Sequence, residues 1–296
     1  MDDGVLILTG PTCSGKTALA LDLAERFGAE IVGADSRQVY RGMPIGTAAP
    51  TGADRARVPH HLVEFLDPHE RYSAARFACE ALERIEALAA RGKRAIVVGG
   101  TGFYVRALAG DVALSPAYDE ALRARLARET HLHPPEVMHA WLSARAPERA
   151  AALAPGDRYR VARALEIALA GELGAAATGT RTLRTQGIRT LKVVLDVPAT
   201  VLEERIATRV DAMLAAGFVE EAERLGPGAF AADAVGYPQA LAYLAGASTY
   251  AELRALLARA TRRYAKRQAT WFRSEPGARA LAPSAVAETV QAELGW

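Results

Sequence analysis

Cysteine is nearly absent from the 296-residue chain, which holds only Cys13 and Cys79. Two cysteines cannot build a disulfide framework or a zinc site, and a reduced thiol at Cys13 suits the cytosol. A charge excess is missing too: 36 basic against 34 acidic residues leave +2, too little for the field of the whole chain to gather nucleic acid. Lysine is scarce, at positions 16, 93, 192 and 266 only, so arginine clusters carry weight only where their position also makes sense. No apolar run approaches the ~20 residues of a membrane span. Met1-Asp2-Asp3 followed at once by an apolar strand is not the pattern of a signal peptide. Internal repeats, heptads and low-complexity tails are also lacking. What remains is a chain that is 50% apolar, expected to be soluble and intracellular, with one core domain plus an insertion, or two domains.

The most informative stretch is Gly10-Pro11-Thr12-Cys13-Ser14-Gly15-Lys16-Thr17. It follows the apolar run Val5–Leu8 and precedes Leu19, Leu23 and Phe27, four apart, so a G-x-x-x-x-G-K-[ST] loop lies between a strand and a helix. Glycines let such a loop wrap phosphate, with amide N–H groups and a helix N-terminus facing the anion. Lys16 adds a point charge, and the Thr17 hydroxyl is the usual Mg²⁺ ligand. A ligand with at least two phosphates is expected; whether it is a nucleotide is left open.

Ile31–Ala34 reads as a second buried strand and Arg94–Val98 as a third, followed by Asp35 and by Gly99-Gly100-Thr101-Gly102 respectively. In an open parallel sheet ligands bind at the carboxyl ends of strands, so the phosphate loop, Asp35 and Thr101 are expected to face one place. Asp35 is equally well read as a helix N-cap. The connection from Arg41 to Arg71, with His60-His61, is rich in Gly and Pro and long enough to be functional or mobile. Tyr72–Arg91 reads as a helix with Phe77, Ala81, Ile85 and Leu88 on one stripe. From about Ser115 to Thr190 the pattern is helical with no convincing buried strand, and Gly171–Thr185 looks like a mobile connection. The domain division that follows is 1–114 with 186–296, and 115–185 as a helical insertion or lid. Within it Val161, Leu165 and Leu169 form a core stripe, while Arg160 and Arg163 point away from it and read as a solvated face. Arg205 and Arg209 share a face of a later helix. The last long helix, from about Tyr250, carries five basic residues and no acid between 261 and 273, interleaved with Tyr264, Trp271 and Phe272; this is the best nucleic-acid candidate by composition.

In this order, the phosphate loop, Ala34-Asp35-Ser36-Arg37-Gln38 running on to Ala48, Val58–Leu62, Val98–Tyr104, Arg163–Glu166 and Thr261–Arg273 closely resemble the bacterial tRNA dimethylallyltransferases over nearly the whole chain. The resemblance implies a P-loop kinase-like α/β parallel-sheet core with an α-helical insertion gripping the anticodon stem-loop. It implies transfer of a dimethylallyl group from dimethylallyl diphosphate to the exocyclic amine of the adenosine 3′ of the anticodon. Residues 10–17 would then hold the diphosphate and Mg²⁺, the latter on Thr17; Lys16 and Arg209 would add charge, with Arg205 as the alternative to Arg209. Asp35 would be the general base and Thr101 would orient base or donor. Asp35, Ser36, Arg37, Gln38, Thr101, Arg123, Tyr159, Arg160, Val161, Ala162 and Arg163 would meet tRNA. The chain departs from the family pattern at Ala49, Tyr159 and Pro238. A monomer without membrane attachment is expected. The competing readings are a P-loop small-molecule kinase and a non-catalytic RNA-binding protein.

Overall fold

A computed structural model describes residues 4–114, 119–170 and 181–296. Among these residues six strands form one all-parallel sheet: β1 (Val5–Thr9), β2 (Ala29–Gly33), β3 (His60–His61), β4 (Arg94–Gly99), β5 (Thr190–Leu195) and β6 (Ala278–Leu281). Their order is β3-β2-β4-β1-β5-β6. β1 is entirely buried because both of its faces are covered. Leu6 and Leu8 pack beneath Leu21, Leu23 and Val290, while Val5 and Ile7 pack against Phe77, Ile85 and Leu108. The period of two along the strand sends alternate side chains to opposite helical layers.

The chain divides into two compact units, Met1–Val112 with Arg181–Trp296, and Ala113–Thr180. The sheet belongs to the first. The second contains the helices Glu120–Leu132, Pro135–Arg145, Pro147–Ala151 and Arg158–Leu169 around Leu126, Met138, Leu142, Val161 and Leu165. Asp157 starts the last of these by accepting from the Arg160 N–H at 3.2 Å. Leu169 is exposed at its end and not on the core stripe, because the stripe runs out there. The expected connection Gly171–Thr185 lies outside the described residues as far as position 180, as do the first residues of the expected insertion, 115–118, and Met1-Asp2-Asp3. Among the described residues no helix is long and apolar enough to cross a membrane.

The long connection after β2 is more structured than its composition suggests. It holds the helices Pro44–Thr47 and Gly52–Arg57 as well as β3. Thr51 and Asp54 close a reciprocal capping box on the second helix. Neither helix is long enough to display a period.

β2 and β4 end in close contact, and Gly99 is what permits it. A Cβ there would lie 2.0 Å from the Ala34 carbonyl oxygen. Gly99→Ala is therefore expected to destabilise the protein by about 1–3 kcal/mol or more, read as a lower urea midpoint at unchanged slope.

Candidate active site

The carboxyl edge of the sheet opens into a cavity of about 820 Å³, all of it within the first unit. Its floor is the phosphate loop. Gly10 (φ 149°) and Gly15 (φ 89°) adopt backbone conformations that side chains disfavour, and Cys13 joins them at φ 64°. This turns the chain sharply into the helix Lys16–Phe27, whose first N–H groups have no intrahelical acceptor. Lys16 Nζ donates to the Pro11 carbonyl at 3.2 Å across the loop. Burial lowers the Lys16 ammonium to about 8; Asp35 opposes the shift and Arg209 reinforces it.

Two arginines on the helix Ala199–Ala215 reach the loop from the other side. Arg209 donates to Thr12 Oγ1 at 3.2 Å and to the Gly46 carbonyl at 3.4 Å. Arg205 donates to the carbonyls of Cys13 and Ser14 at 3.3 and 3.2 Å. Both line the cavity, so the sequence alternatives of Arg209 or Arg205 meet in one place. With Lys16 they surround the loop with three cations, a setting for an anion of high charge.

Asp35 sits after β2 on the cavity wall. It caps a turn and not a helix: Oδ1 accepts from the N–H groups of Arg37 at 2.9 Å and Gln38 at 3.4 Å. Oδ2 accepts no hydrogen bond among the described residues and remains available as a proton acceptor. The Asp35 charge also helps burial to raise the Tyr264 phenol. Thr101 is held beside Asp35 but spends its hydroxyl on Ser36, accepting from its N–H at 2.9 Å and facing its Oγ at 3.2 Å. Its structural action is thus on the segment that carries Asp35. Arg37 is paired with Asp233 at 2.7 Å, and Gln38 donates to the carbonyls of Thr47 and Ala48, both at 3.1 Å. Ser36, Arg37 and Gln38 all line the cavity.

The family model described as IPP transferase matches residues 38–275, and one described as Isopentenyl transferase matches residues 3–60. The chain belongs to the IPP transferase family. A tRNA dimethylallyltransferase of Anaeromyxobacter sp. (strain Fw109-5) is 44% identical over 285 residues, covering 94% of each chain. One from Geobacter sulfurreducens is 44% identical and covers 92% of this chain and 89% of its own. Among solved structures, the tRNA isopentenylpyrophosphate transferase of Bacillus halodurans is 34% identical with a TM-score of 0.72, covering 99% of this chain and 97% of that one. A eukaryotic dimethylallyltransferase acting on tRNA gives a TM-score of 0.74 at 28% identity, covering 90% of this chain and 69% of its own.

This IPP transferase holds site residues that sequence reasoning did not single out. Glu221, 1% exposed, accepts from the N–H groups of Ile45 and Gly46 at 2.8 and 2.7 Å and from the Tyr237 hydroxyl at 2.7 Å. It thereby fixes the Gly46 carbonyl that Arg209 uses. Burial and then Glu221 raise the Tyr237 phenol. Pro238, a departure from the family pattern, occupies the first turn of the helix Tyr237–Leu244, where proline is well suited. Gln268 lines the cavity from the long helix Tyr250–Phe272. The sequence signal for it was a polar residue on the core stripe, three positions after Ala265 and four before Phe272.

The basic-aromatic stretch of that helix divides between surface and interior. Arg262, Arg263, Lys266, Arg267 and Arg273 are exposed. Phe272 is core, and Trp271 packs so tightly on the helix Gly102–Ala109 that a Cβ at Gly102 would lie 2.0 Å from its Nε1. In the second unit, Tyr159 is 71% exposed and Arg160 is exposed beside Asp157 at 3.4 Å. Arg163 is paired with Glu166 at 2.7 Å, and Arg123 and Ala162 are partly exposed. Val161 corrects the expectation that it meets tRNA: its side chain is fully buried, because it closes the apolar centre of the helical unit.

Proposed function

We propose that this chain transfers a dimethylallyl group from dimethylallyl diphosphate to the exocyclic amine of the adenosine 3′-adjacent to the anticodon, in tRNAs reading codons that begin with U. The observation that carries this reading is a single cavity lined by a cationic phosphate loop and by Asp35 with a free carboxylate oxygen. Breakage of the allyl C–O bond leaves its electron pair on the diphosphate. Lys16, Arg205, Arg209 and the N–H groups at the start of the Lys16–Phe27 helix stabilise that charge. The amine nitrogen bonds to the allyl carbon, and its proton passes to Asp35 Oδ2. An adenine stacked in an anticodon loop cannot enter such a cavity, so it is flipped out of the stack.

Mg²⁺ is compatible with the groups present. Among the described residues there is no cluster of three His, Cys, Asp or Glu side chains able to hold a metal alone. At the loop the oxygens are hydroxyls, Thr17 on the cavity wall and Ser14, whose buried Oγ has no partner. That set suits an ion bound largely by phosphate oxygens and water, with the Thr17 hydroxyl as protein ligand. When bound, the ion would neutralise charge on the departing diphosphate. The two free thiols and a tRNA substrate suit the cytoplasm, and the cavity is lined by residues of one chain, as a monomer would need.

Arg160 and Tyr159 are the most exposed members of the tRNA set on the second unit. Arg160→Ala is expected to weaken stem-loop binding and to lower the slope of log K against log salt by about 1; an unchanged slope would remove it from the RNA interface. The reaction is tested by supplying labelled dimethylallyl diphosphate or γ-labelled ATP with an anticodon stem-loop. Label should enter RNA from the first alone. Phosphate transfer from ATP without allyl transfer would favour a kinase.

A further inference from the structure

Gln268 is 6% exposed, and both ends of its amide are used. Oε1 accepts from the Thr12 N–H of the phosphate loop at 2.8 Å, and Nε2 donates to the Gly100 carbonyl at 2.9 Å. We infer that Gln268 is a positioning residue for the transfer: its amide locks the phosphate loop to the turn that holds Asp35, fixing the leaving group relative to the proton acceptor. The inference rests on the proposed transfer.

Gly100 precedes Thr101, whose N–H donates to the Ala34 carbonyl at 3.3 Å and whose hydroxyl accepts from the Ser36 N–H at 2.9 Å. Asp35 is therefore flanked on both sides by bonds to Thr101. At the other end, Thr12 Oγ1 accepts from Arg209 at 3.2 Å. Arg209, Thr12, Gln268, Gly100, Thr101 and Ser36 form a continuous path from the cation that faces the phosphates to the acid that faces the amine. An amide supplies at any pH both the donor and the acceptor that the path needs at position 268. Glycine at 100 is part of the device, since a Cβ there would lie 2.4 Å from Gln268 Nε2. The strands behind both loops are already paired through β1 and β4, so the clip sets loop geometry and not the fold. A misplacement of about 1 Å between reacting groups is enough to slow chemistry roughly 10²-fold.

The test compares the unsubstituted protein with Gln268→Leu and Gln268→Glu, using a stem-loop acceptor, single-turnover rates, donor affinity and thermal melting. In Gln268→Leu we expect the rate to fall roughly 10–100-fold while donor affinity changes less than about threefold. In Gln268→Glu the introduced carboxyl can donate to Gly100 only when protonated. Its rate relative to the unsubstituted protein should therefore rise as pH falls from about 8 to 6. A Gln268→Leu rate within about twofold of the unsubstituted protein overturns the inference. So does a pH-independent ratio for Gln268→Glu, which decides the matter even if the leucine variant does not fold. Absence of transfer by the unsubstituted protein overturns the proposed function as well.

Discussion

Asp35→Asn is expected to lower the single-turnover rate of allyl transfer roughly 10²–10⁴-fold, the usual contribution of a positioned proton acceptor. Donor and stem-loop affinities should stay nearly unchanged, and the reason is local. Asp35 Oδ1 caps the turn through the N–H groups of Arg37 and Gln38, and an asparagine oxygen can accept those same bonds. The change removes only the basicity of the second oxygen. Asp35→Ala loses the cap as well and should also loosen the 36–38 segment, so asparagine is the cleaner variant. Equilibrium binding measured beside single-turnover chemistry checks this. A parallel loss of RNA affinity in Asp35→Asn would make the residue a binding group instead.

Lys16→Met has the second largest expected effect, a loss of roughly 10²–10³ in transfer rate. Its pH signature is more specific. Burial brings the Lys16 ammonium of the free protein down to about 8. The charged form is the one that attracts diphosphate, and it is present below that value and lost as pH rises through it. Hence kcat/KM for the donor, which reports free-enzyme ionisations, should fall above about pH 8. Bound diphosphate favours the ammonium, so the corresponding limb of kcat should lie at higher pH. Lys16→Met should lack the alkaline limb of kcat/KM altogether; its survival in that variant would assign the limb to another group.

Much of the core was legible because it is local. β1, β2, β4 and β5 are apolar runs bounded by glycine, acid or charge, and the phosphate loop is contiguous in sequence. β3 was hidden because two residues carry no period. β6 was hidden because an edge strand with Arg279 exposed and Ala278 and Leu281 only partly covered does not read as buried. Asp35 was ambiguous because capping and proton acceptance ask the same of a sequence; the structure commits one oxygen to the cap and leaves the other without a hydrogen bond among the described residues. Gln268 shows in the sequence only as a polar residue on a core stripe, and its role was not legible because its partners Thr12 and Gly100 lie 256 and 168 residues away. Glu221 resembled its solvated neighbours Glu220 and Glu223, and only folding shows it buried on the Ile45 and Gly46 amides. Val161 failed in the opposite direction. The resemblance implies an RNA contact at this motif position, whereas the helical period places it on the core stripe, where the structure buries it.

The most direct test of the account is chemical. The protein is incubated with dimethylallyl diphosphate, Mg²⁺ and an anticodon stem-loop, the RNA is digested to nucleosides, and these are analysed by mass. The account predicts that the adenosine 3′-adjacent to the anticodon, and no other nucleoside, becomes heavier by one dimethylallyl group in place of an amine hydrogen, with diphosphate released in equal amount. Unmodified adenosine with the donor intact, or modification of a different nucleoside, would contradict it.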